Sequence, residues 1–205
     1  MEFLTDFADE AVILPLVAAV SLALGLGGWR RGAAAWLGGI GITLVLVLLA
    51  KMVTHACAPL PGVALNSPSG HTAAAAVTYG GLAALAGPRA WRGPLSAAAA
   101  LIIALAIGAS RLALGVHSLA DVLVGTALGV AGVVLLARCA GDRPRGFNRA
   151  PALAMALGVV IIFHGAHLQA EGRITDLSHR IWPLSLCDRR PGALPLDPAK
   201  GREAL

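Results

Sequence analysis

The chain has 205 residues, of which 57% are hydrophobic and 13% are charged, and its mean hydropathy is +0.77. Soluble globular domains contain about 45–50% apolar and about 25% charged residues, so this composition excludes that class and indicates a membrane protein. The net charge of +5 comes mostly from arginine, and the positions of the arginines are more informative than the sum of the charges.

Long stretches without charge follow one another as far as residue 170. A helix needs about 20 apolar residues to cross the hydrocarbon of a bilayer. We therefore predict an all-α, polytopic membrane bundle of about six transmembrane helices in residues 1–170. Residues 171–205 are predicted to form a tail with a short surface helix and an irregular end. The six predicted spans are 9–29, 32–53, 69–88, 93–113, 118–138 and 150–169.

The loops between these spans differ in charge. Eight arginines fall in the first, third and fifth loops, and by the positive-inside rule these loops are cytoplasmic. The acidic N-terminus, which is unlike a signal peptide, and the second and fourth loops then share the outer face. The eight residues are Arg30, Arg31, Arg89, Arg92, Arg138, Arg143, Arg145 and Arg149.

Arg111, His117 and Asp121 stand at the junction between two apolar runs, in the fourth loop. An ionisable side chain in lipid costs about 2.5–3.5 kcal/mol, so a functional role is the default interpretation when it faces a cavity. Asp121 follows His117 by four residues, a spacing that lets the carboxylate hold one imidazole nitrogen. Alternatively, Ser118-Leu-Ala-Asp121 is a capping box and Asp121 only fixes the start of a helix.

The second loop carries Lys51 at its start and Ser69, Gly70 and His71 at its end. Ser-Gly directly before a helix leaves backbone N–H groups that suit a phosphate, although Ser69 is equally an ordinary N-cap. His71 has no evident packing role above an alanine-rich segment. Lys51 is alternatively a helix-end lysine that reaches the headgroups. Alternation of the spans brings these residues to the same face as Arg111, His117 and Asp121.

Two further groups of side chains have open interpretations. His164 and His167, at the end of the sixth span, are either a metal-binding pair or residues of the outer interface, and two ligands alone do not make a zinc site. Cys57 and Cys187 form a disulfide only if the tail lies outside the cell. No metal site is therefore predicted.

With these motifs in hand, the chain resembles the type 2 phosphatidic acid phosphatase superfamily, which includes the vanadium haloperoxidases, and in particular its membrane lipid-phosphatase branch. The resemblance covers residues 11–138. Pro68-Ser-Gly-His71 and Ser110-Arg111-(five residues)-His117-(three residues)-Asp121 match the second and third family motifs completely. The first motif, Lys-(six residues)-Arg-Pro, begins at Lys51 but has Ala58 in the arginine position, so His55 is a possible auxiliary cation.

The resemblance implies hydrolysis of a lipid phosphate or diphosphate through a phosphohistidine, with no metal and no cofactor. It makes His117 the nucleophile, Asp121 its orienting carboxylate and His71 the general acid and base. The phosphate-binding residues that it implies are Lys51, Ser69, Gly70 and Arg111.

The partners implied are a lipid phosphate and the surrounding membrane lipids, with no nucleic acid and no indication of the oligomeric state. Undecaprenyl diphosphate, phosphatidate, phosphatidylglycerol phosphate and a lipid A phosphate are all candidate substrates. We expect a multi-pass protein of the bacterial inner membrane with its site facing the periplasm. Two alternatives stay open: a lipid phosphotransferase that uses the same site, and a catalytically weakened lipid-phosphate-binding or transport relative, because of Ala58.

Overall fold

The computed structural model describes residues 2–56, 65–88 and 92–168, together with three isolated positions, Gly172, Ile174 and Leu177. Within this part of the chain every regular element is a helix, so the predicted all-α fold is confirmed. The last six helices correspond one to one with the six predicted spans. In chain order the helices are α1 (Glu2–Asp6), α2 (Glu10–Leu26), α3 (Arg30–Ala56), α4 (Gly70–Ala86), α5 (Arg92–Ala113), α6 (Leu119–Cys139) and α7 (Ala150–Phe163).

Four stretches of the chain are long and apolar enough to cross a membrane, and they contain α1 with α2, α3, α5 and α6. With 17 residues, α4 reaches the lower end of the usual range for a crossing, whereas α7 has only 14. The protein is thus a multi-pass membrane protein. The four stretches are Phe3–Leu26, Arg30–His55, Arg92–Ala113 and Leu119–Cys139.

Large apolar side chains cover the outside of the bundle. On a soluble protein this many exposed leucines and isoleucines would be an aggregation liability, whereas a bilayer solvates them. Examples from five helices are Leu14, Leu22, Ile42, Leu46, Ile102, Leu105, Leu123, Ile161 and Ile162.

The innermost helix is α4, which packs against α3, α5 and α6. It is rich in alanine and glycine, and small residues let membrane helices approach closely. A Cβ on Gly80 would lie 2.7 Å from the Cβ of Ala100 in α5 and 2.8 Å from Cγ2 of Val133 in α6. The closeness of the three backbones therefore depends on glycine here.

Arginines close the end of the bundle where α4 and α6 finish. Nε of Arg31 donates a hydrogen bond to the carbonyl of Cys139 at 3.0 Å, and the guanidinium of Arg149 donates to the carbonyl of Ala86. The last carbonyls of a helix lack partners within the helix and attract cations. The arginine-rich loops thus meet at one end of the bundle, as alternation of the spans predicted.

Most helix boundaries lie within three residues of the predicted ones, and two of the differences affect residues that the sequence singled out. No helix-breaking residue interrupts the chain after Lys51, so α3 continues to Ala56 and Lys51 lies inside the helix. The opposite happens at α7, which ends at Phe163 because Gly165 adopts a left-handed conformation with φ of +84°. His164 therefore lies at the helix end and His167 in the chain beyond it.

Several predictions fall on residues outside the described ranges. These are the Ala58 position, the pairing of Cys57 with Cys187, and most of the tail from residue 171. The division of the chain into residues 1–170 and a tail stays a prediction.

Candidate active site

Asp121 joins the two segments that the sequence singled out. Its Oδ1 accepts hydrogen bonds from the backbone amides of Asn66 and Ser67, both at 2.9 Å, and its Oδ2 accepts one from the amide of Ser118 at 2.9 Å. Oγ of Ser118 accepts the Asp121 amide at 3.1 Å, which completes a capping box at the start of α6. One buried carboxylate therefore holds the segment before α4 against the start of α6.

The same carboxylate faces His117. Oδ2 of Asp121 lies 3.7 Å from Nδ1 of His117, and the two side chains are 1% and 6% exposed. This separation is longer than a hydrogen bond and within the range of an ion pair. The structure therefore agrees with both interpretations of Asp121, because the residue takes part in the capping box of α6 and also faces the imidazole of His117.

Ser69 is the N-cap of α4 and is fully buried. Its Oγ accepts the amide of Thr72 at 3.4 Å and lies 2.8 Å from the hydroxyl of Thr72. Its backbone amide donates to the carbonyl of Asp121 at 3.0 Å. The capping role of Ser69 is therefore present in the structure, and its predicted contact with phosphate stays a prediction.

Lys51 lies beside the first turn of α4. It is only 2% exposed, and a Cβ on Gly70 would lie 3.3 Å from its Cε and 3.7 Å from its Nζ. A lysine ammonium and the N-terminal amides of α4 therefore meet at one place. Both attract an anion, the first by its charge and the second by the helix dipole and by hydrogen bonds.

A cavity of about 470 Å³ opens at the end of the bundle where α4 begins, and five of the predicted site residues are not among its lining: Lys51, Ser69, Gly70, His117 and Asp121. His71 and Arg111 both border it, together with Val116, the neighbour of His117. The other residues of its lining are Thr5, Asp6, Asp9, Leu114 and His167. The structure thus brings two of the predicted residues, one from each motif, to the wall of a single cavity that is large enough for a phosphate headgroup.

A second cavity, of about 500 Å³, lies at the arginine end of the bundle. Arg92 and Arg138 line it with small and apolar residues, and its lining includes no histidine and no carboxylate. It therefore has neither a nucleophile nor a proton donor of the kind that phosphate hydrolysis requires, and the cavity at His71 is the candidate active site.

His55, the possible auxiliary cation, lies in the last turn of α3. Its Nε2 is buried and has no hydrogen-bond partner among the residues that the structure describes. Ala58, which it was predicted to compensate, lies outside those residues. The auxiliary role stays a prediction.

Sequence reasoning missed the acidic N-terminal segment as part of the site. Oδ2 of Asp9 lies 3.9 Å from Nε2 of His71 and 3.5 Å from Nδ1 of His167, whose Nε2 is 3.8 Å from Oδ1 of Asp6. The acidic residues before the first span were a visible signal, but no motif or periodicity connects them with residue 71. The sequence offers His167 either as a metal ligand together with His164 or as a residue of the outer interface, and neither interpretation connects it with Asp9. His164 packs on the aromatic rings of Phe3 and Phe7.

Asp9, Glu10 and His71 also place potential metal ligands within 4.8 Å of one another. Carboxylates and imidazole are suitable ligands for zinc. This is the one such group found in the described part of the chain, and it includes the predicted general acid. A metal held there would compete with proton transfer by His71.

Residues 52–145 match the family model described as the PAP2 superfamily. The match includes both complete motifs and begins one residue after Lys51. This stretch is similar to the PAP2 superfamily, as the motifs predicted, and the similarity supports a phosphatase-type hydrolase activity. Neither a comparison with curated proteins nor one with solved structures gave a match.

Proposed function

We propose that the protein hydrolyses the phosphate or diphosphate group of a membrane lipid through a phosphohistidine, without a metal. The observation that carries the proposal is the position of Asp121. It faces His117 with one oxygen, and it holds the segment that leads into His71 through the amides of Asn66 and Ser67. A nucleophile, its orienting carboxylate and a proton donor are thereby kept at one end of the bundle.

In the first step Nε2 of His117 attacks phosphorus, because Nδ1 faces Asp121. The N–P bond forms while the bond from phosphorus to the leaving oxygen breaks, and His71 gives its proton to that oxygen. In the second step the neutral His71 accepts a proton from water, whose oxygen attacks phosphorus. The N–P bond then breaks, which releases phosphate and restores both imidazoles.

The cations of the site stabilise the charge of the phosphoryl group. Arg111 borders the cavity with His71, and Lys51 lies beside Gly70 at the start of α4. Fixed positive groups directed at the phosphoryl oxygens are the main source of catalysis in phosphoryl transfer. Ser69, as the N-cap, fixes the start of α4. We propose that it also contacts the phosphate.

A lipid substrate agrees with the location of the cavity. It opens at the ends of apolar helices whose outer surface carries exposed leucine and isoleucine side chains. A lipid phosphate can keep its chains beside these surfaces while its headgroup enters the cavity. The arginines at the opposite end favour the inner leaflet for that end, and on this ground we propose that the cavity faces the periplasm from a bacterial inner membrane.

The test is phosphate release in detergent, with EDTA present, from undecaprenyl diphosphate, phosphatidate, phosphatidylglycerol phosphate and a lipid A phosphate. We expect activity that survives chelation, is inhibited by vanadate and is lost in His117→Ala. His164→Ala is the matched control, because His164 lies at the same end of the bundle but packs on Phe3 and Phe7. A requirement for a divalent ion, or full activity of His117→Ala, contradicts the proposal.

An assay with an added lipid acceptor separates hydrolysis from transfer. A hydrolase releases inorganic phosphate in equal amount to the dephosphorylated lipid, whether or not the acceptor is present. Phosphate found on the acceptor instead identifies a phosphotransferase. Lipid binding with no turnover on any substrate of the panel identifies a binding or transport relative.

A further inference from the structure

Asp9 lies outside the three family motifs and outside the stretch that matches the family model. It is nevertheless 5% exposed and lies on the wall of the cavity. Oδ1 of Asp9 accepts hydrogen bonds from the amide of Ala11 at 2.8 Å and from the amide of Leu168 at 3.0 Å. With Oδ1 engaged by backbone donors, Oδ2 is the oxygen directed at His71.

The arrangement repeats the one at Asp121. Each aspartate caps the start of a helix, α2 for Asp9 and α6 for Asp121. Each has an oxygen fixed by two backbone amides and a second oxygen 3.7–3.9 Å from an imidazole nitrogen. Each of the two histidines of the proposed mechanism, His71 and His117, therefore faces a buried carboxylate that backbone amides hold in place.

We propose that Asp9 is a positioning residue for His71, whose imidazole it holds in the orientation needed for its role as the general acid. This inference rests on the proposed function, because it assigns a task to the proton donor of that mechanism. A carboxylate that two backbone amides fix limits the rotation of the imidazole that it faces. Orientation of a reacting group lowers the barrier of the step in which it takes part.

Other charged groups lie near His71. Negative groups come from the N-terminal segment, and cations come from α3 and α5. His167 lies against the same oxygen of Asp9 and, when protonated, draws on the same negative charge. The groups are Asp6, Glu10, Lys51, Arg111 and His167.

Asp9→Asn tests the proposal with little change of shape. Asparagine is as good an N-cap as aspartate, so α2 is preserved while the oxygen that faces His71 is replaced by an amide nitrogen. Asp9→Ser also retains a capping side chain and gives a second variant should the first fail to fold. Asp6→Asn is the matched control, because it removes a carboxylate from the same cavity wall that faces His167 and not His71.

We expect Asp9→Asn to lower kcat on an alkyl phosphate roughly 10–100-fold with little change of KM, a smaller loss than removal of the general acid itself. With p-nitrophenyl phosphate, whose leaving group needs no proton, the rate of the first turnover, seen as a burst of p-nitrophenolate, should be nearly unchanged. A merely structural defect lowers the first-turnover rate on both substrates equally.

The outcomes separate this inference from the proposed function. If His117→Ala is inactive while Asp9→Asn keeps the wild-type rate, or loses the first-turnover rate equally on both substrates, Asp9 has no such role and the mechanism stands. If His117→Ala is active, the proposed function fails. If chelation stops the wild-type enzyme and zinc restores it, the proposed function fails and the positioning role fails with it.

Discussion

The backbone amide of Ser69 donates a hydrogen bond to the backbone carbonyl of Asp121 at 3.0 Å. This contact joins the N-cap of α4 to the first turn of α6, the two helix starts that carry the second and third motifs. Because it is made by backbone atoms, its geometry depends on how closely the two helices approach, and that approach depends on the small residues between them.

Gly125→Ala should disrupt this approach. A Cβ at this position would lie 2.5 Å from the carbonyl oxygen of Ser69, so α6 or the N-cap of α4 must shift. We expect a destabilisation of about 1–3 kcal/mol, as for other overpacked sites, with at least tenfold lower activity. Thermal unfolding in detergent and phosphate release measure the two effects.

Gly38→Ala is the control for that variant. Gly38 lies inside α3, and a Cβ at this position would have no neighbouring atom within 4 Å, so alanine should be neutral or stabilise the helix by up to about 1 kcal/mol. Equal effects of the two substitutions would show that the approach of α6 to Ser69 is not the cause.

Asp121→Asn should lose both stability and activity. In the variant, an amide nitrogen replaces one of the two carboxylate oxygens. Both oxygens accept hydrogen bonds from backbone N–H groups, so the new side-chain N–H donor would face a backbone N–H donor. The substitution also removes the charge that faces His117. We expect kcat to fall roughly a hundredfold or more, because the nucleophile is no longer held in its reactive orientation, and we expect a lower unfolding temperature.

Ser118→Ala tests whether the N-cap of α6 contributes to catalysis as well as to stability. It removes only the hydroxyl that accepts the Asp121 amide, and loss of such a cap costs about 1 kcal/mol of stability. We expect kcat near the wild-type value. A collapse of kcat in Ser118→Ala with normal folding would show that the capping box itself controls catalysis.

Lys51→Met should weaken phosphate binding while keeping the length of the side chain beside Gly70. A hydrogen bond to a charged group is worth about 1.5–3 kcal/mol, which corresponds to roughly a 10–100-fold lower kcat/KM. Arg138→Met is the control, since it removes a cation from the opposite end of the bundle. Steady-state kinetics on a single lipid phosphate distinguish the two variants.

Ala58→Arg restores the cation that the first family motif contains. We expect a lower KM for a lipid phosphate, because an arginine binds phosphate oxygens through two parallel hydrogen bonds. If His55 substitutes for the missing arginine, the gain should be larger in a His55→Ala background. An unchanged KM in both backgrounds shows that the substrate requires no cation at this position.

The orientation can be measured by cysteine labelling. Cys139 is exposed at the arginine end of the bundle, so after replacement of Cys57 and Cys187 by serine an impermeant maleimide should reach it only from the cytoplasmic side. Leu114→Cys in a Cys139→Ser background should be labelled from the outside, because Leu114 borders the cavity. The reverse pattern places the active site in the cytoplasm.

The helices could be predicted because hydropathy alone separates apolar runs from charged loops. The convergence of residues 67–71 and 110–121 followed from alternation of the spans, and the hydrogen bonds of Asp121 to Asn66 and Ser67 agree with it. The contact between His117 and Asp121 could also be predicted from the sequence, because residues four apart near a helix start face one another.

The role of the N-terminal segment could not be predicted in the same way. Asp9 meets His71 and Leu168 only through the packing of α2 against α4 and α7, and no spacing in the sequence encodes that arrangement. The end of α7 was misplaced for a local reason, since hydropathy continues past Phe163 whereas the left-handed Gly165 ends the helix.

Hydrogen bonds hold α4 at both of its ends, and this affects where a lipid can enter the cavity. One end is tied to α6 through Ser69, and the other is held by Arg149 on the carbonyl of Ala86, so we do not expect α4 to move aside for a lipid. We expect the lipid to enter past the N-terminal segment, whose contacts include the hydrogen bonds from the Leu168 amide to Asp9 and from the Tyr79 hydroxyl to the Phe7 carbonyl. Hydrogen–deuterium exchange should then show faster exchange in residues 3–9 than in residues 72–84, and equal protection of both segments would place the entrance elsewhere.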